Sequence, residues 1–354
     1  MRWGWSIISA GLMMAVSAGA TSDWTPSWQT IPQSSSTQQP PERGEWTNTT
    51  PVLLTLAAVP NTDVIVALGE LGAILRSEDR GLHWKPIDGA PTKLHIHSVV
   101  AMPNRDLLVA VGDSGAVLRS DDKGAHWSRI ENATTGLSLL AVVALENADV
   151  LVAVGGNGIV LRSEDSGAHW KQAEGGTTGN PLYAVAAVKN TGQLIAVGAG
   201  GVILRSEDKG AHWNKIEGVP TKQTLRAVAA IPNTNLLIAM GDAGTVLRSD
   251  DRGAHWKQIQ GAPQDRNFLA VAAANNTDLL IAVGSGGVIL RREDKGAHWS
   301  PVEGATARQA IVAVASVPNT DLLLAIGQGG TVLRSEDRGA RWKQVQGVSI
   351  GQHL

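Results

Sequence analysis

The sequence of 354 residues contains no cysteine. This absence excludes disulfide bonds, thiolate metal sites and a cysteine nucleophile. The folded chain must therefore be held together by packing alone.

Phenylalanine and tyrosine are almost as scarce, with one residue of each, whereas 12 tryptophans are present. Tryptophan therefore has one repeated role, and the rest of the core is aliphatic. The sequence also lacks an excess of charge of one sign, because 30 Lys and Arg residues balance 32 Asp and Glu residues. Since nucleic-acid-binding proteins usually present a basic excess on one face, this balance argues against nucleic acid as a partner.

After the N-terminal apolar run, no second run reaches 18 residues without a charge. Residues 1–20 have the features of a signal peptide: Arg2 supplies a positive start, Trp3 to Val16 is mostly apolar, and Ala18-Gly19-Ala20 is a small-residue cleavage site. We predict cleavage after Ala20 and a soluble protein that is periplasmic or secreted. The alternative is a membrane anchor, for which the apolar run is short.

Residues 21–45 differ from the rest of the chain because they are polar and rich in proline, as in the segment from Ser34 to Pro41. Such a composition cannot bury a core, and it predicts a flexible leader. Trp24 and Trp28 lie in this leader, where they are candidates to dock on the folded domain or on a partner.

An eight-residue segment repeats along the remaining sequence with a constant spacing of 43 residues. Its copies occupy residues 77–84, 120–127, 163–170, 206–213, 249–256, 292–299 and 335–342. A fixed period of this length is typical of repeat folds such as propellers. We assign residues 46–348 to one repeat domain and residues 349–354 to a C-terminal tail.

Each repeat contains four short apolar runs separated by turns, as residues 225–261 illustrate. The predicted strands are Leu225–Ile231, Leu236–Met240, Thr245–Arg248 and His255–Ile259. Clusters of Gly, Pro and Asn separate these β-branched and aliphatic runs, which favours strands over helices. Four antiparallel strands per repeat of about 43 residues predict an all-β, seven-bladed β-propeller. The sequence leaves open how the ring closes, because residues 45–47 are candidates to add to the last blade.

The repeated segment follows the pattern S-x-D-x-G-x-x-W, which is known as the Asp-box or bacterial neuraminidase repeat. We expect its Ser and Asp to close a turn, its Gly to adopt positive φ and its Trp to pack between blades. The Asp residues are Asp79, Asp122, Asp165, Asp208, Asp251, Asp294 and Asp337. The Trp residues are Trp84, Trp127, Trp170, Trp213, Trp256, Trp299 and Trp342. Arg292 replaces the Ser in the sixth copy.

The longer pattern from Gly198 to Trp213, preceded by a strand that ends in Ala-Val-Gly, resembles the photosystem II stability/assembly factor family of seven-bladed propellers. The resemblance extends over residues 50–347. It implies a propeller fold and a non-catalytic scaffold that holds a segment of a protein during assembly of a membrane complex. Because unrelated functions share one fold, the function has to be argued from a site.

Two repeated positions invite a functional interpretation. A His precedes the Trp in six boxes, but equivalent positions in different blades diverge too far to bind one metal ion, so we predict no metal site. An Arg precedes each box, and it either forms a basic ring for an acidic partner or pairs with the acid two residues later, as Arg205 and Glu207 illustrate. We favour the ion pair.

Function is expected where the repeats differ, and one position at the start of the first strand is uneven. It holds Leu54, His97, Leu140, Tyr183, Arg226, Leu269 and Val312 in successive blades. We select three polar residues at this position and five neighbours as the candidate binding face. They are His97, Tyr183, Arg226, His95, Lys93, Lys222, Arg266 and Arg308. The alternative is sequence drift at solvent-exposed strand ends.

We find no catalytic or cofactor-binding motif, neither a P-loop nor a dinucleotide fingerprint. The favoured function is an exported scaffold, a monomer without cofactors, that binds a protein of the cell envelope and contacts a membrane only through that partner. The alternatives are a glycan-binding protein and a sialidase-like glycosidase. A sialidase needs a Tyr nucleophile with a Glu partner, and Tyr183 has no acid within six residues.

Overall fold

The computed structural model of the protein describes residues 52–346, except 104, 132–134, 147, 177, 275–276, 294–298 and 303–308. The predicted signal peptide, leader and C-terminal tail lie outside these residues, as do Asp294 and Arg308. Within the described part of the chain, no helix has the length and apolar character needed to span a bilayer.

The predicted seven-bladed, all-β propeller is confirmed, because 28 strands form seven four-stranded antiparallel sheets of consecutive strands. The strands are β1 Leu53–Ala58, β2 Ile65–Gly69, β3 Ile74–Ser77, β4 Lys85–Pro86, β5 Ile96–Ala101, β6 Leu108–Gly112, β7 Val117–Ser120, β8 Ser128–Arg129, β9 Leu139–Ala144, β10 Leu151–Gly155, β11 Val160–Ser163, β12 Lys171–Gln172, β13 Leu182–Ala187, β14 Leu194–Gly198, β15 Ile203–Ser206, β16 Asn214–Lys215, β17 Leu225–Ala230, β18 Leu237–Gly241, β19 Val246–Ser249, β20 Lys257–Gln258, β21 Phe268–Ala273, β22 Leu280–Gly284, β23 Ile289–Arg292, β24 Ser300–Pro301, β25 Ile311–Ser316, β26 Leu323–Gly327, β27 Val332–Ser335 and β28 Lys343–Gln344.

The first strand of each blade is innermost, since these strands contact one another around the ring and β1 contacts β25. The second strands are buried along their whole length, which explains their continuous aliphatic sequences. The fourth strands contain only two residues. The prediction of a five-residue strand at 255–259 was therefore too long, because His255 and Trp256 belong to the preceding turn.

The ring closes by packing between complete blades. Blade 1 comprises β1–β4 and blade 7 comprises β25–β28, so each contains four strands from its own repeat. Trp84 of blade 1 lies in one core cluster with Leu322 and Leu324 of blade 7. The side chain of Arg334 in blade 7 also donates from Nε to the backbone oxygen of Arg80 in blade 1, at 3.2 Å.

Candidate functional site

The Asp-boxes close turns in the way that their sequence predicts, and blade 4 illustrates the arrangement. Ser206 Oγ accepts the backbone N–H of Gly210 and donates to Asp208 Oδ1, both at 2.9 Å. Gly210 has φ +82°, and a Cβ there would lie 2.6 Å from Val152 of blade 3. The indole N–H of Trp213 donates to the carbonyl of Gly210 at 3.0 Å, and its ring is buried. These contacts are structural.

The sixth box departs from the others because Arg292 occupies the Ser position. Its side chain is 1% exposed, and its guanidinium lies 5.1 Å from the ring centre of Trp299. The indole N–H of Trp299 makes no hydrogen bond to any described residue. In blade 6, a buried cation–π contact therefore joins the residue at the Ser position to the box Trp.

The box histidines bind the Asp of their own box, with Nδ1 2.5–2.6 Å from Asp Oδ2. Burial raises the pKa of the box Asp208, but the backbone N–H and imidazole of His212 and the hydroxyl of Ser206 outweigh burial and lower it to about 2. Among the residues that the structure describes, no three His, Asp or Glu side chains gather to hold a metal ion.

The repeated Arg residues join neighbouring blades. In blade 4, Arg205 Nε donates to the backbone oxygen of Arg252 in blade 5 at 3.1 Å, and Arg205 pairs with Glu207 at 2.6 Å. Equivalent bonds to the next blade are made by Arg76, Arg162, Arg291 and Arg334. Structural pairing therefore accounts for this ring of cations.

The uneven strand position is a β-bulge in every blade. In β5, Ile96 pairs with Gly112 and Ser98 with Val111, which leaves His97 as the extra residue. The same irregularity falls on Leu54, Leu140, Tyr183, Arg226, Leu269 and Val312. Since bulges redirect side chains, the fold collects the least regular position in one ring. We call the end of the channel where the innermost strands begin the mouth.

The mouth also includes the turn between the second and third strand of each blade. In blade 2 this turn spans Asp113–Gly115, and Asp113 Oδ1 lies 2.7 Å from His97 Nε2. The same oxygen accepts the hydroxyl of Ser138 from blade 3 at 2.9 Å. Burial raises the pKa of Asp113, but the hydrogen bond and charge of His97 and the hydroxyl of Ser138 outweigh it, so the pKa is lowered. His97, whose side chain is 5% exposed, thus joins two blades.

Tyr183 and Arg226 come together from blades 4 and 5. The guanidinium of Arg226 lies 5.5 Å from the ring centre of Tyr183. Asp242 holds that guanidinium through two bonds, from Nε to Oδ1 at 2.5 Å and from Nη2 to Oδ2 at 3.0 Å. The charge of Arg226 is therefore neutralised within the protein, and both oxygens of Asp242 are occupied.

The other predicted site residues precede innermost strands at the mouth. Lys93 and Lys222 are exposed, whereas His95 is half-buried. Arg266 pairs with Asp265, with Nε 3.4 Å from Oδ2, and its side chain is 43% exposed. The structure thus places these residues on one face without gathering them into one cluster.

Sequence reasoning missed Asp113 and Asp242, which complete the two polar clusters. Each Asp lies 16 residues after the bulge residue that it binds. The other five blades have Leu, Tyr or Val at the bulge, and none of them has an Asp 16 residues later. A comparison of these two positions across the repeats would have indicated the pairing.

Comparisons with known proteins agree with the fold. No protein-family model and no curated protein matches the sequence. The structure is similar to that of YCF48 bound to a D1 peptide, with a TM-score of 0.65 and 20% identity over 81% of this chain and 94% of that chain. It is also similar to YCF48 from Cyanidioschyzon merolae, with a TM-score of 0.65 and 19% identity over 81% of this chain and 96% of that chain. The predicted resemblance is thereby confirmed for the fold, which is all that such low identity shows.

Proposed function

We infer that the protein is a non-catalytic scaffold that binds a segment of another protein at the mouth of its channel. The observation that carries this proposal is the division between the two faces. The box residues form bonds within and between blades. Among the described residues, the mouth combines bulges, unequal side chains and exposed cations such as Lys93 and Lys222. A scaffold needs one such irregular surface on a regular frame.

We further infer that the chain is exported through its N-terminal signal peptide and assists the assembly or stability of an envelope or membrane complex. Two observations support this role: residues 1–20 have the composition of a signal peptide, and the fold is similar to that of YCF48, which has been described bound to a D1 peptide. Peptide binding by a protein of this fold is therefore a precedent for a partner that supplies a protein segment.

The geometry favours this function over carbohydrate chemistry. A glycosidase of sialidase type would need a free acid beside Tyr183, but the carboxylate in its cluster, that of Asp242, is bound to Arg226 on both oxygens. A glycan-binding protein would need exposed aromatic platforms. Six of the box Trp rings are buried, and the seventh, Trp127, is half-buried.

The test is cross-linked capture of the tagged mature protein from the envelope of its own host, followed by binding measurements with the purified partner. Alanine at His97 or Arg226 would leave Asp113 or Asp242 unpaired, so exposed residues are better probes. The mouth variant is Lys93→Glu with Lys222→Glu.

The charge-matched control changes two exposed lysines on the outermost strands, Lys85→Glu with Lys343→Glu. We expect the mouth variant to lose the partner and the control to retain it. Loss of the partner by the control variant alone would assign the binding site to the opposite face, where the Asp-boxes lie. Binding or turnover in a glycan screen, with no protein captured, would replace the scaffold by the carbohydrate alternative.

A further inference from the structure

Blade 1 carries an exposed leucine in a backbone conformation that leucine rarely adopts. Leu71 is the middle residue of the mouth turn Glu70–Gly72, with φ +54°, and 46% of the residue is exposed. The equivalent residues of the other blades are Ser114, Asn157, Gly200, Ala243, Gly286 and Gly329, all with positive φ. This left-handed position favours Gly or Asn. Leu71, the largest of the seven equivalent side chains, therefore occupies a backbone conformation that is strained for leucine.

The residues beside Leu71 carry charges that have no partner within the part of the chain that the structure describes. Glu70 is half-buried, and its carboxylate has no hydrogen-bond or ion-pair partner among the described residues. The contrast with blades 2 and 5 is direct, because Asp113 and Asp242 at the equivalent position bind His97 and Arg226. The bulge partner of Glu70 is Leu54, which cannot pair with it.

An exposed cation of the next blade lies beside the same turn. A Cβ at Gly72 would meet the backbone of Thr92 at 2.0 Å and the Cα of Lys93 at 3.6 Å, so the turn packs directly on the loop that contains Lys93. Lys93 is exposed and forms no ion pair with a described residue. Glu70, Leu71 and Lys93 therefore present an anion, an apolar group and a cation in one short surface, which we call the blade 1 sector.

We propose that the blade 1 sector is the specificity-determining contact of the scaffold, where an extended protein segment places a basic side chain on Glu70, an apolar side chain on Leu71 and an acidic side chain on Lys93. This inference rests on the proposed function, since it names the chemistry of the segment that the mouth binds. Charge complementarity selects the occupant, because each unused charge acquires a partner of opposite sign and Leu71 is removed from water.

The backbone cost at Leu71 fits a residue retained for binding rather than for folding. Folding alone favours Gly at this position, as in blades 4, 6 and 7, where Gly200, Gly286 and Gly329 occupy the equivalent place. Observed strain that survives in a regular repeat points to a function that requires the side chain. The change Leu71→Gly should therefore improve stability while it weakens binding.

The experiment is a selection from a displayed library of random 12-residue peptides on the immobilised mature protein, repeated with Leu71→Gly, Glu70→Lys and Leu82→Ala. Leu82 is the matched control, because it is also 46% exposed in blade 1 but lies in the Asp-box, where the six other boxes all have Ala. We expect the unmodified protein and Leu82→Ala to enrich the same peptides, with basic, apolar and acidic residues close together.

Leu71→Gly should bind these peptides at least about tenfold more weakly, since a buried leucine typically contributes that much affinity. Its melting temperature should rise by about 1–3 °C, which shows that the loss does not reflect unfolding. Glu70→Lys should enrich peptides in which an acidic residue replaces the basic one. This exchange of preferred charge is the decisive result, because a structural role for Glu70 would not produce it.

Three outcomes would overturn the inference. Enriched peptides that bind Leu71→Gly and Glu70→Lys normally, but are lost with Lys222→Glu, would leave the scaffold function standing and move its contact to blade 5. Enrichment that appears only after deletion of residues 21–45 would show that the leader of this chain occupies the blade 1 sector. If the unmodified protein enriches no peptide, either with its leader or without it, the proposed function itself fails.

Discussion

The charge on a single box aspartate offers a direct test of how the boxes stabilise the propeller. Asp208 is bonded to Ser206 and to the backbone and ring of His212, and these bonds hold its pKa at about 2, against an ordinary value of 3.8. Without solvent screening, this difference in pKa corresponds to about 2.4 kcal/mol of stabilisation of the folded state. Because 44% of the side chain is exposed, solvent screening reduces the expected contribution to about 1 kcal/mol.

The direction of the pH dependence follows from the lowered pKa. A carboxyl that is more acidic in the folded state stabilises that state above its unfolded pKa, and the contribution is lost as pH falls through the folded value. The stabilisation from Asp208 is therefore complete at pH 5 and has largely disappeared near pH 2. Asp79, Asp122, Asp165 and Asp251 have the same lowered pKa of about 2. Together these five aspartates should contribute about 5 kcal/mol less to the free energy of unfolding at pH 2 than at pH 5.

The change Asp208→Asn tests this assignment, because Asn retains an oxygen to accept the N–H of His212 but removes the charge. We expect the variant to be about 1 kcal/mol less stable at pH 5 and equal to the unmodified protein at the lowest pH. Urea unfolding followed by tryptophan fluorescence between pH 5 and 2 measures both values. Ser206→Ala is the comparison, since it also removes the bond from the backbone N–H of Gly210, which carries no charge, and should therefore still cost about 1 kcal/mol at the lowest pH. A pH-independent loss in Asp208→Asn would refute the reasoning.

Two further perturbations test the packing. Trp213→Ala should lower the free energy of unfolding by about 3–5 kcal/mol, and Trp127→Ala by less, because Trp213 is buried and Trp127 only half-buried; urea midpoints compare them. Arg226→Leu alone should cost about 2–4 kcal/mol by leaving Asp242 unpaired, whereas Arg226→Leu with Asp242→Gly, which copies blade 3, should recover most of the loss in the same assay.

The repeat made most of the fold predictable. A period of 43 residues, turn residues at fixed offsets and aliphatic runs of strand length all recur seven times, so one correct interpretation applies to every blade. The fourth strand was the exception, because pairing shortens it to two residues and gives Trp256 to the turn. Local patterns specify turns and strands well, but the residue at which pairing stops depends on the neighbouring strand.

The candidate site was only partly predictable. The sequence identified His97, Tyr183 and Arg226 as residues that break the repeat, and the structure places all three at bulges on one face. The sequence did not reveal that Asp113 pairs with His97 and Asp242 with Arg226. Partners 16 residues apart meet only when two strands and a turn are assembled.

The sequence by itself thus determined the number of blades, the four strands in each and the roles of the box residues, since these depend on local turns and on periodic burial. Only the tertiary structure decided which polar residues are free to meet a partner. Arg226 appears cationic in the sequence but is held by Asp242, whereas Glu70 appears ordinary but has no partner among the described residues. The physical reason is that pairing depends on distances across strands and between blades, and these are fixed only when the ring closes.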